Sequence, residues 1–425
     1  MYLNREKIDD ATAYERELAT LPIDRIDVAQ PRLFQLGLAT KYFDRLRRES
    51  PVHYCPDGLY GPYWSITRHR DVERVELDTD TFSSDHFNGG VTIAAHPDDP
   101  QFFPSFIAMD PPRHGAQRRV VAPAFSPRRL TEMAPQIRIW SQEILDGLPI
   151  GEPFDWVDRV SIELTARTLA LLLGYPLERS RDLIRWSEAM VALPGSPAFP
   201  TIESKLSVMK ECFDTFDAIW AERLRAPAGN DLISMLASGP ETRGMPREEL
   251  YGNIVLLIVG GNDTTRSSIS GSVVAFDRFP NELDKLRQPG LIAGLTAELL
   301  RWQTPLAHMR RTATRDVSLG GQRFIKGDKV VLWYLSANRD EAVFANPDDF
   351  VLDRPNARRQ LAFGFGVHRC IGARLADLQI RTLWEEIVLR FPRIEIVQPP
   401  VRTLSTFIHG YSELQVSIPE RWTWR

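Results

Sequence analysis

Cysteine is scarce: the 425 residues hold three, Cys55, Cys212 and Cys370. That number is too small for a disulfide framework, and it is odd, which points to a reducing cytosol rather than a secreted scaffold. Long apolar runs are lacking as well. The longest, at 169–173 and 254–259, fall far short of the roughly 20 residues that a membrane helix needs. The N-terminus, MYLNREKIDDATAYERE, is polar and has no apolar signal core. A basic excess is missing too: 52 Lys and Arg stand against 56 Asp and Glu, a net charge of −4. This argues against a general nucleic-acid binder. No Gly/Ser-rich linker, charge block, low-complexity tract or internal repeat divides the chain. A single domain spanning residues 1–425 is therefore expected, although the length alone would allow two or three. What remains is a cytoplasmic globular protein, 43% hydrophobic and 25% charged.

What is present concentrates in residues 361–376, LAFGFGVHRCIGARLA. Cys370 sits there in a glycine-rich turn, directly before a helical pattern that runs through Leu378. Gly364, Gly366 and Gly372 lack a Cβ, so the backbone can turn sharply and approach a flat ligand. Turn amides and a helix N-terminus both point positive charge at the sulfur. They are expected to lower its pKa and favour the thiolate, the form that binds metal. A lone cysteine beside one glycine is more often a buried, inert thiol. Here three glycines, an aromatic residue, a basic pair and a following helix come together at fixed spacing.

A second stretch lies mid-chain. Residues 246–279 form the longest helical pattern, with Pro280 as its natural stop. Inside it runs Gly260-Gly261-Asn262-Asp263-Thr264-Thr265-Arg266. Adjacent glycines inside a helix cost roughly 1 kcal/mol each against alanine, so they need a reason. Without Cβ atoms they open a groove along the helix. Leu256, Val259, Gly260, Asp263 and Thr264 fall at helical spacing and are expected to share one face, apolar before the glycines and polar after. A simple helix break or cap at Asp-Thr-Thr is the plainer reading of the same residues.

The rest is mainly helical with short strands. Residues 1–37 carry weak signals and are expected to drape over the surface. Helical patterns cover 39–48, 69–77, 130–150, 160–173, 177–191, 202–224 and 371–390. Residues 52–54 and 63–67 read as a hairpin, 311–320 and 329–333 as strands, and 394–397, 404–411 and 414–418 as C-terminal strands. Breaker-rich loops lie at 83–106, with Gly89, Gly90, Pro97, Pro100 and Pro104, and at 193–200. Loops of the first length are usually functional or mobile. Asp110-Pro111-Pro112 opens the next helix, with proline in the first turn and the acid as its cap. His114 and Arg118, four apart, project from one face of it. Glu298 and Arg301 are three apart on a helix that begins near residue 291, an ion-pair spacing common on helix surfaces.

The spacing Phe363-Gly-x-Gly-x-His368-x-Cys370-x-Gly372, then Leu375-Ala376, resembles the haem-ligand loop of cytochromes P450. The likeness extends from about residue 52 to the C-terminus and follows the family's order of motifs. These are Asp110-Pro-Pro-x-His114-x-x-x-Arg118 with Phe125-Ser126-Pro127-Arg128, the glycine pair, Glu298-x-x-Arg301, Phe350-x-x-Asp353-Arg354 and the cysteine loop. The resemblance implies the P450 fold: mainly α with small β-sheets, a long distal helix over haem, and the cysteine loop before a proximal helix. It implies haem b (iron protoporphyrin IX), with Cys370 as proximal iron ligand favouring O–O cleavage. His114, Arg118 and Arg311 would bind the propionates, and Phe363, Gly364, His368 and Gly372 complete the haem-binding set. Asp263 and Thr264 would deliver protons beside dioxygen in the Gly260–Gly261 groove. Glu298, Arg301 and Arg354 would form a structural triad, and 193–200 a lid. Gln360 departs from the pattern: many bacterial members carry histidine there on a propionate, so one such contact is expected to loosen or rearrange.

Three stretches narrow the resemblance. Residues 257–266, 301–311 and 106–112 look like the soluble bacterial alkane-hydroxylating P450s. Those enzymes oxidise the terminal methyl of medium-chain alkanes and fatty acids, with ferredoxin and an NAD(P)H-dependent ferredoxin reductase. The expected pocket takes Ile107 from just after the long loop and Leu256, Val259 and Gly260 from the long helix. Leu306, Ala307 and Met309, with Phe407 and Ile408, complete it. A substrate with no polar handle is held by burial alone, at about 0.8 kcal/mol per CH2, so an eight-carbon chain gains about 6 kcal/mol. Terpenes, cyclic hydrocarbons and steroids suit the same lining. No reductase-like segment follows Arg425, so electrons are expected from a separate ferredoxin, drawn to Arg113, Arg119, Arg369 and Arg374. Ordinary solvated charge is the plainer reading of those arginines. A peroxygenase using hydrogen peroxide would not need Asp263 and Thr264. A non-catalytic haem sensor would need neither that pair nor the glycine groove.

Overall fold

The computed structural model describes residues 11–95, 102–192 and 198–422. Pro97 and Pro100 of the long loop, residues 193–197 of the expected lid and residues 1–10 lie outside the described residues. The fold is mainly helical with small sheets, as the resemblance implied.

The largest sheet has five strands in the order Val52–Cys55, Tyr63–Ile66, Lys329–Trp333, His308–Ala313, Phe82–Ser83. The expected hairpin forms, pairing Val52 with Ile66 antiparallel, and Trp64 then pairs parallel with Val330. Lys329–Trp333 is central, and after Lys329 it reads as an apolar run because both its faces are covered. Val331 and Trp333 join one core with Phe34, Phe43 and Leu335. Val330 and Leu332 join the other with Ile66, Val75, Phe324 and Leu361, the period of two that a pleated strand imposes.

The first of these cores corrects the reading of the N-terminal segment. Ile26, Val28, Leu33 and Phe34 are fully buried in it, so residues 26–34 pack inward rather than draping over the surface. Their apolar residues come in short pairs without period, and part of the core they join, Trp333 stacked on Phe34, lies some 300 positions away in the chain.

The longest helix, Arg247–Arg278, crosses the main core with most of its faces buried. Glu248 and Glu249 in its first turn and Arg278 in its last complement the helix dipole. Pro280 stops it as expected and also opens the next helix, Pro280–Leu286. Several buried polar groups on this helix find partners across the helix packing. Thr165 Oγ1 donates to Asn262 Oδ1 at 3.0 Å, and Ser161 meets Ser270 at 2.9 Å beside a π-helical turn, Val157–Ile162. The helices Glu163–Leu173, Ser180–Val191 and Ile202–Arg223 stack on this side. Thr201 and Ser204 cap the third reciprocally.

Two other expectations fail locally. Asp110 does not cap the helix Arg113–Val121, whose N-cap is Pro112. Its carboxylate instead accepts from Ser83 Oγ and from Ser84 N at 2.7 Å, tying two loops together. Residues 404–410 are a loop that makes an isolated bridge from Ile408 to Leu306, and the strand begins only at Tyr411, as Tyr411–Glu413 paired with Val401–Arg402.

Glu298, Arg301 and Arg354 meet in a buried cluster. Both oxygens of Glu298 accept from Arg301, at 2.7 and 2.8 Å, and from Arg354 Nε at 3.0 and 3.1 Å. The spare guanidinium donors bind the carbonyls of Asn338, Ala345, Asn346, Pro347 and Asp349. Asn338 Oδ1 in turn accepts from Leu361 N at 2.7 Å, at the threshold of the cysteine loop.

Candidate active site

The cysteine loop reverses through Gly364 and Gly366, whose φ values of +68° and +63° are left-handed and favour glycine. A Cβ at Gly366 would lie 2.9 Å from the Glu76 carbonyl, so the loop also needs glycine there to pass that helix. Cys370 N closes the turn on Phe363 O at 2.7 Å, and the helix Ala373–Arg390 starts three residues on. The sulfur faces a cavity of about 470 Å³. Cys370 is exposed towards that space, while the protein packed around the sulfur takes it out of bulk water and raises the thiol pKa. Hydrogen bonds from the Gly372 and Ala373 amides and the charges of Arg118 and Arg369 oppose the rise without overcoming it. The expected lowering is therefore corrected: burial outweighs the amides and the helix end.

The helix Arg113–Val121 and the strand His308–Ala313 bring His114, Arg118 and Arg311 to the same cavity, where His368 joins them. Arg118 Nη2 donates to Arg369 O beside the cysteine. The His114 and His368 rings lie 4.1 Å apart. Burial, then the nearby guanidinium groups, pushes the pKa of His114 down to about 4. Burial, Arg311, His114 and Arg118 push that of His368 to about 2. Both rings are neutral near pH 7. His114 Nε2, both ring nitrogens of His368 and Arg311 Nε are buried with no partner among the described residues. Carboxylate oxygens are the acceptors such a rim lacks.

Along the long helix the glycine pair divides its work. Gly260 opens onto empty space, whereas a Cβ at Gly261 would come within 2.9 Å of Leu169 Cδ1. The first leaves the groove; the second admits the neighbouring helix. Thr264 lines the cavity and donates its hydroxyl to Gly260 O at 3.0 Å. Asp263 does not share that face. It is fully buried, accepting from Ser187 Oγ at 2.7 Å and Arg266 Nη2 at 2.7 Å, and is absent from the lining. A buried carboxylate takes the side where partners exist.

Of the expected pocket, Ile107, Leu256, Val259, Gly260, Leu306, Met309, Phe407 and Ile408 line the cavity. Ala307 does not: it turns into the core that holds Phe34 and Trp333, while Leu306 and His308 face the cavity. Gln360 is absent from the lining too. Its Oε1 accepts from Ala362 N at 2.6 Å, so the residue shapes its own turn. The sequence reading missed the wall supplied by Leu169, Leu172, Met190, Lys205 and Met209, and also Tyr334. Apolar positions on amphipathic helices carry no signal that separates cavity from core.

A thiol aimed into an enclosed apolar cavity, below a helix groove and beside an anion-hungry rim, defines a haem-thiolate oxygenase. The chain belongs to the cytochrome P450 family. The Cytochrome P450 profile matches residues 273–407. Linalool 8-monooxygenase of Pseudomonas putida is 36% identical, over 93% of this chain and 99% of its own. A methyl-branched lipid omega-hydroxylase of Mycobacterium tuberculosis is 31% identical, over 88% and 90%. Among solved structures, CYP153D17 from Sphingomonas sp. PAMC 26605 shares 45% identity with a TM-score of 0.86, covering 93% of this chain and 100% of that one. The protein is a P450 monooxygenase and its cofactor is haem b. The unpartnered nitrogens of the rim fit that cofactor, which carries two carboxylates. Among the described residues no helix is long and apolar enough to cross a membrane.

Proposed function

We propose that this enzyme hydroxylates the terminal carbon of medium-chain alkanes or fatty acids, using dioxygen and electrons from a ferredoxin served by an NAD(P)H-dependent ferredoxin reductase. The observation that carries the reading is the apolar part of the cavity wall, to which Leu256, Val259, Leu306, Met309, Phe407 and Ile408 contribute. The relative named as a lipid omega-hydroxylase supports terminal attack. The linalool 8-monooxygenase relative favours a second reading, hydroxylation of a terpene, and the same wall suits cyclic hydrocarbons or steroids.

In this reading residues 1–425 act as one domain and Cys370 is the iron ligand. Haem, when bound, supplies dioxygen activation and insertion of one oxygen atom into a C–H bond. The chain's residues do the rest. His114, His368, Arg118 and Arg311 hold the propionates, with Phe363, Gly364 and Gly372 forming the bed of the ring. Gly260 leaves room for the small reactant. Thr264 Oγ1 spends its own proton on Gly260 O, so its lone pairs accept from a proton donor in the groove. Asp263 stands behind it as the proton-delivering carboxylate, held by Ser187 and by Arg266, whose Nη1 also donates to Glu188 Oε1 at 3.3 Å. A peroxygenase would not need this relay. Arg119, Arg369 and Arg374 are exposed and suit an acidic ferredoxin, while Arg113 is engaged with Glu249 at 3.1 Å.

The test is a product assay with ferredoxin, reductase and either octane or decanoic acid. The expected products are 1-octanol and 10-hydroxydecanoic acid, with a haem spin-state shift on binding. Exclusive subterminal products, or no binding, would hand the site to the terpene reading.

A further inference from the structure

Glu76 has no part in the relay or the triad, yet it is buried against the cavity wall. It is the next-to-last residue of the helix His69–Leu77 and is 1% exposed. One carboxylate oxygen accepts from the Tyr334 hydroxyl and the other from Arg311 Nη2 at 2.5 Å. Tyr334 and Arg311 both line the cavity. Arg311 Nη1 is spent on Arg310 O at 2.8 Å, and Nε is left without a partner among the described residues. The carboxylate also abuts the cysteine loop: a Cβ at Gly364 would sit 3.5 Å from Tyr334 Oη and 3.8 Å from Glu76 Oε1. One acid thus touches the loop that carries Cys370 and the arginine that faces the cavity.

A guanidinium is a rigid, planar fork. Gripped at Nη2 by Glu76 and at Nη1 by Arg310 O, it cannot swing, so its third nitrogen keeps one direction. The grip also sets charge. In a site shielded from water, a buried anion acts at long range and favours the more oxidised state of a nearby metal centre.

We propose that Glu76, fixed by Tyr334, is a positioning residue that aims Arg311 at the haem propionate edge and holds the reduction potential of the bound haem down. The proposal rests on the propionate role given to Arg311 above. Glu76→Gln removes the charge and keeps the shape. The holoenzyme should show a more positive midpoint potential in a dye-equilibrated titration and faster haem transfer to apomyoglobin, with the CO-difference spectrum still reporting cysteine ligation. Glu76→Asp keeps the charge on a shorter arm, so its potential should stay nearer the wild type while haem transfer quickens. Tyr334→Phe should do the same, and these two variants carry the test if Glu76→Gln does not fold. A Glu76→Gln enzyme that loses thermal stability at an unchanged potential overturns the proposal, because a purely structural ion pair would behave that way. So does a potential that moves as far in Glu76→Asp as in Glu76→Gln. Arg311→Gln separates the underlying reading: unchanged haem transfer there removes the propionate role itself.

Discussion

The rings of His114 and His368 lie 4.1 Å apart at 42°, both neutral, with three nitrogens between them unpartnered among the described residues. A buried polar atom without a partner costs about 1–3 kcal/mol. The pair therefore burdens the haem-free protein, and in the proposed role a propionate would accept from an N–H of a neutral ring. The effect of replacing it should change sign with the state of the enzyme. His114→Phe should raise the melting temperature of the haem-free protein and speed haem loss from the holoenzyme, read by transfer to apomyoglobin. Movement in the same direction in both states would remove the pair from the haem rim.

Thr264 faces the cavity and Asp263 faces away from it, so their substitutions should differ in kind. Thr264→Ala preserves the helix, since alanine is the better helix former, but removes the acceptor in the groove. NADH oxidation should continue while product per NADH falls and hydrogen peroxide rises. Asp263→Asn should instead slow oxygen consumption, by about 10²-fold if the carboxylate is a general acid–base group. Unchanged coupling in Thr264→Ala would take that hydroxyl out of proton delivery.

What the sequence made legible was local. The cysteine loop, the glycine pair and the spacing of His114 with Arg118 are short-range patterns, and they placed Cys370, Gly260 and the rim on one cavity. Orientation was harder. Helical periodicity put Asp263 on the cavity face, but Ser187 and Arg266 draw it to the other side. Ser187 is a tertiary contact that no local pattern encodes, whereas Arg266 stands at the i,i+3 ion-pair spacing that the sequence itself carries. Ala307 and Leu306 are chain neighbours on opposite sides of a segment, and only pairing through Leu306 and Ile408 decides which one faces in. Glu76 gave no sign at all: an acid near a helix end reads as surface until Tyr334 and Arg311 are seen around it. The thiol pKa was misjudged because burial, a tertiary quantity, exceeds the loop's own amides.

The Glu298 cluster should be the most sensitive point outside the cavity. Glu298 and Arg301 are fully buried, and the carboxylate also accepts from Val351 N at 2.9 Å. Removing one partner of a buried pair costs about 3–5 kcal/mol, because the other charge is left uncompensated. Glu298→Ala strands two guanidinium groups and should lose that much in denaturant titration, along with haem incorporation during expression. Arg354→Lys should also fail to restore stability, since one ammonium cannot span Glu298 and the carbonyls of Ala345, Asn346 and Asp349. Wild-type stability in Arg354→Lys would show that the guanidinium geometry is dispensable.

Two histidines away from the rim should set the acid limit of the fold. His308 uses Nδ1–H on Thr406 O at 2.9 Å and accepts from Ile93 N at 3.2 Å. His409 uses Nδ1–H on Gln303 O at 2.6 Å and accepts from Arg402 Nη1 at 3.3 Å. Each ring is needed neutral, and burial lowers the pKa to about 4 for His308 and about 3 for His409. The unfolded chain, with its histidines near 6.5, binds protons first as pH falls. Their stabilisation is therefore complete above about pH 6.5 and is lost on the way down to the folded values. Between pH 7 and pH 5 each histidine should remove about 2 kcal/mol. Glutamine can donate and accept in the same places without titrating. Denaturant titrations of His308→Gln and His409→Gln at both pH values should thus each show about 2 kcal/mol less loss than the wild type. An unchanged loss would mean that these rings accept a proton in the fold at no cost, which their buried acceptor bonds from Ile93 and Arg402 forbid.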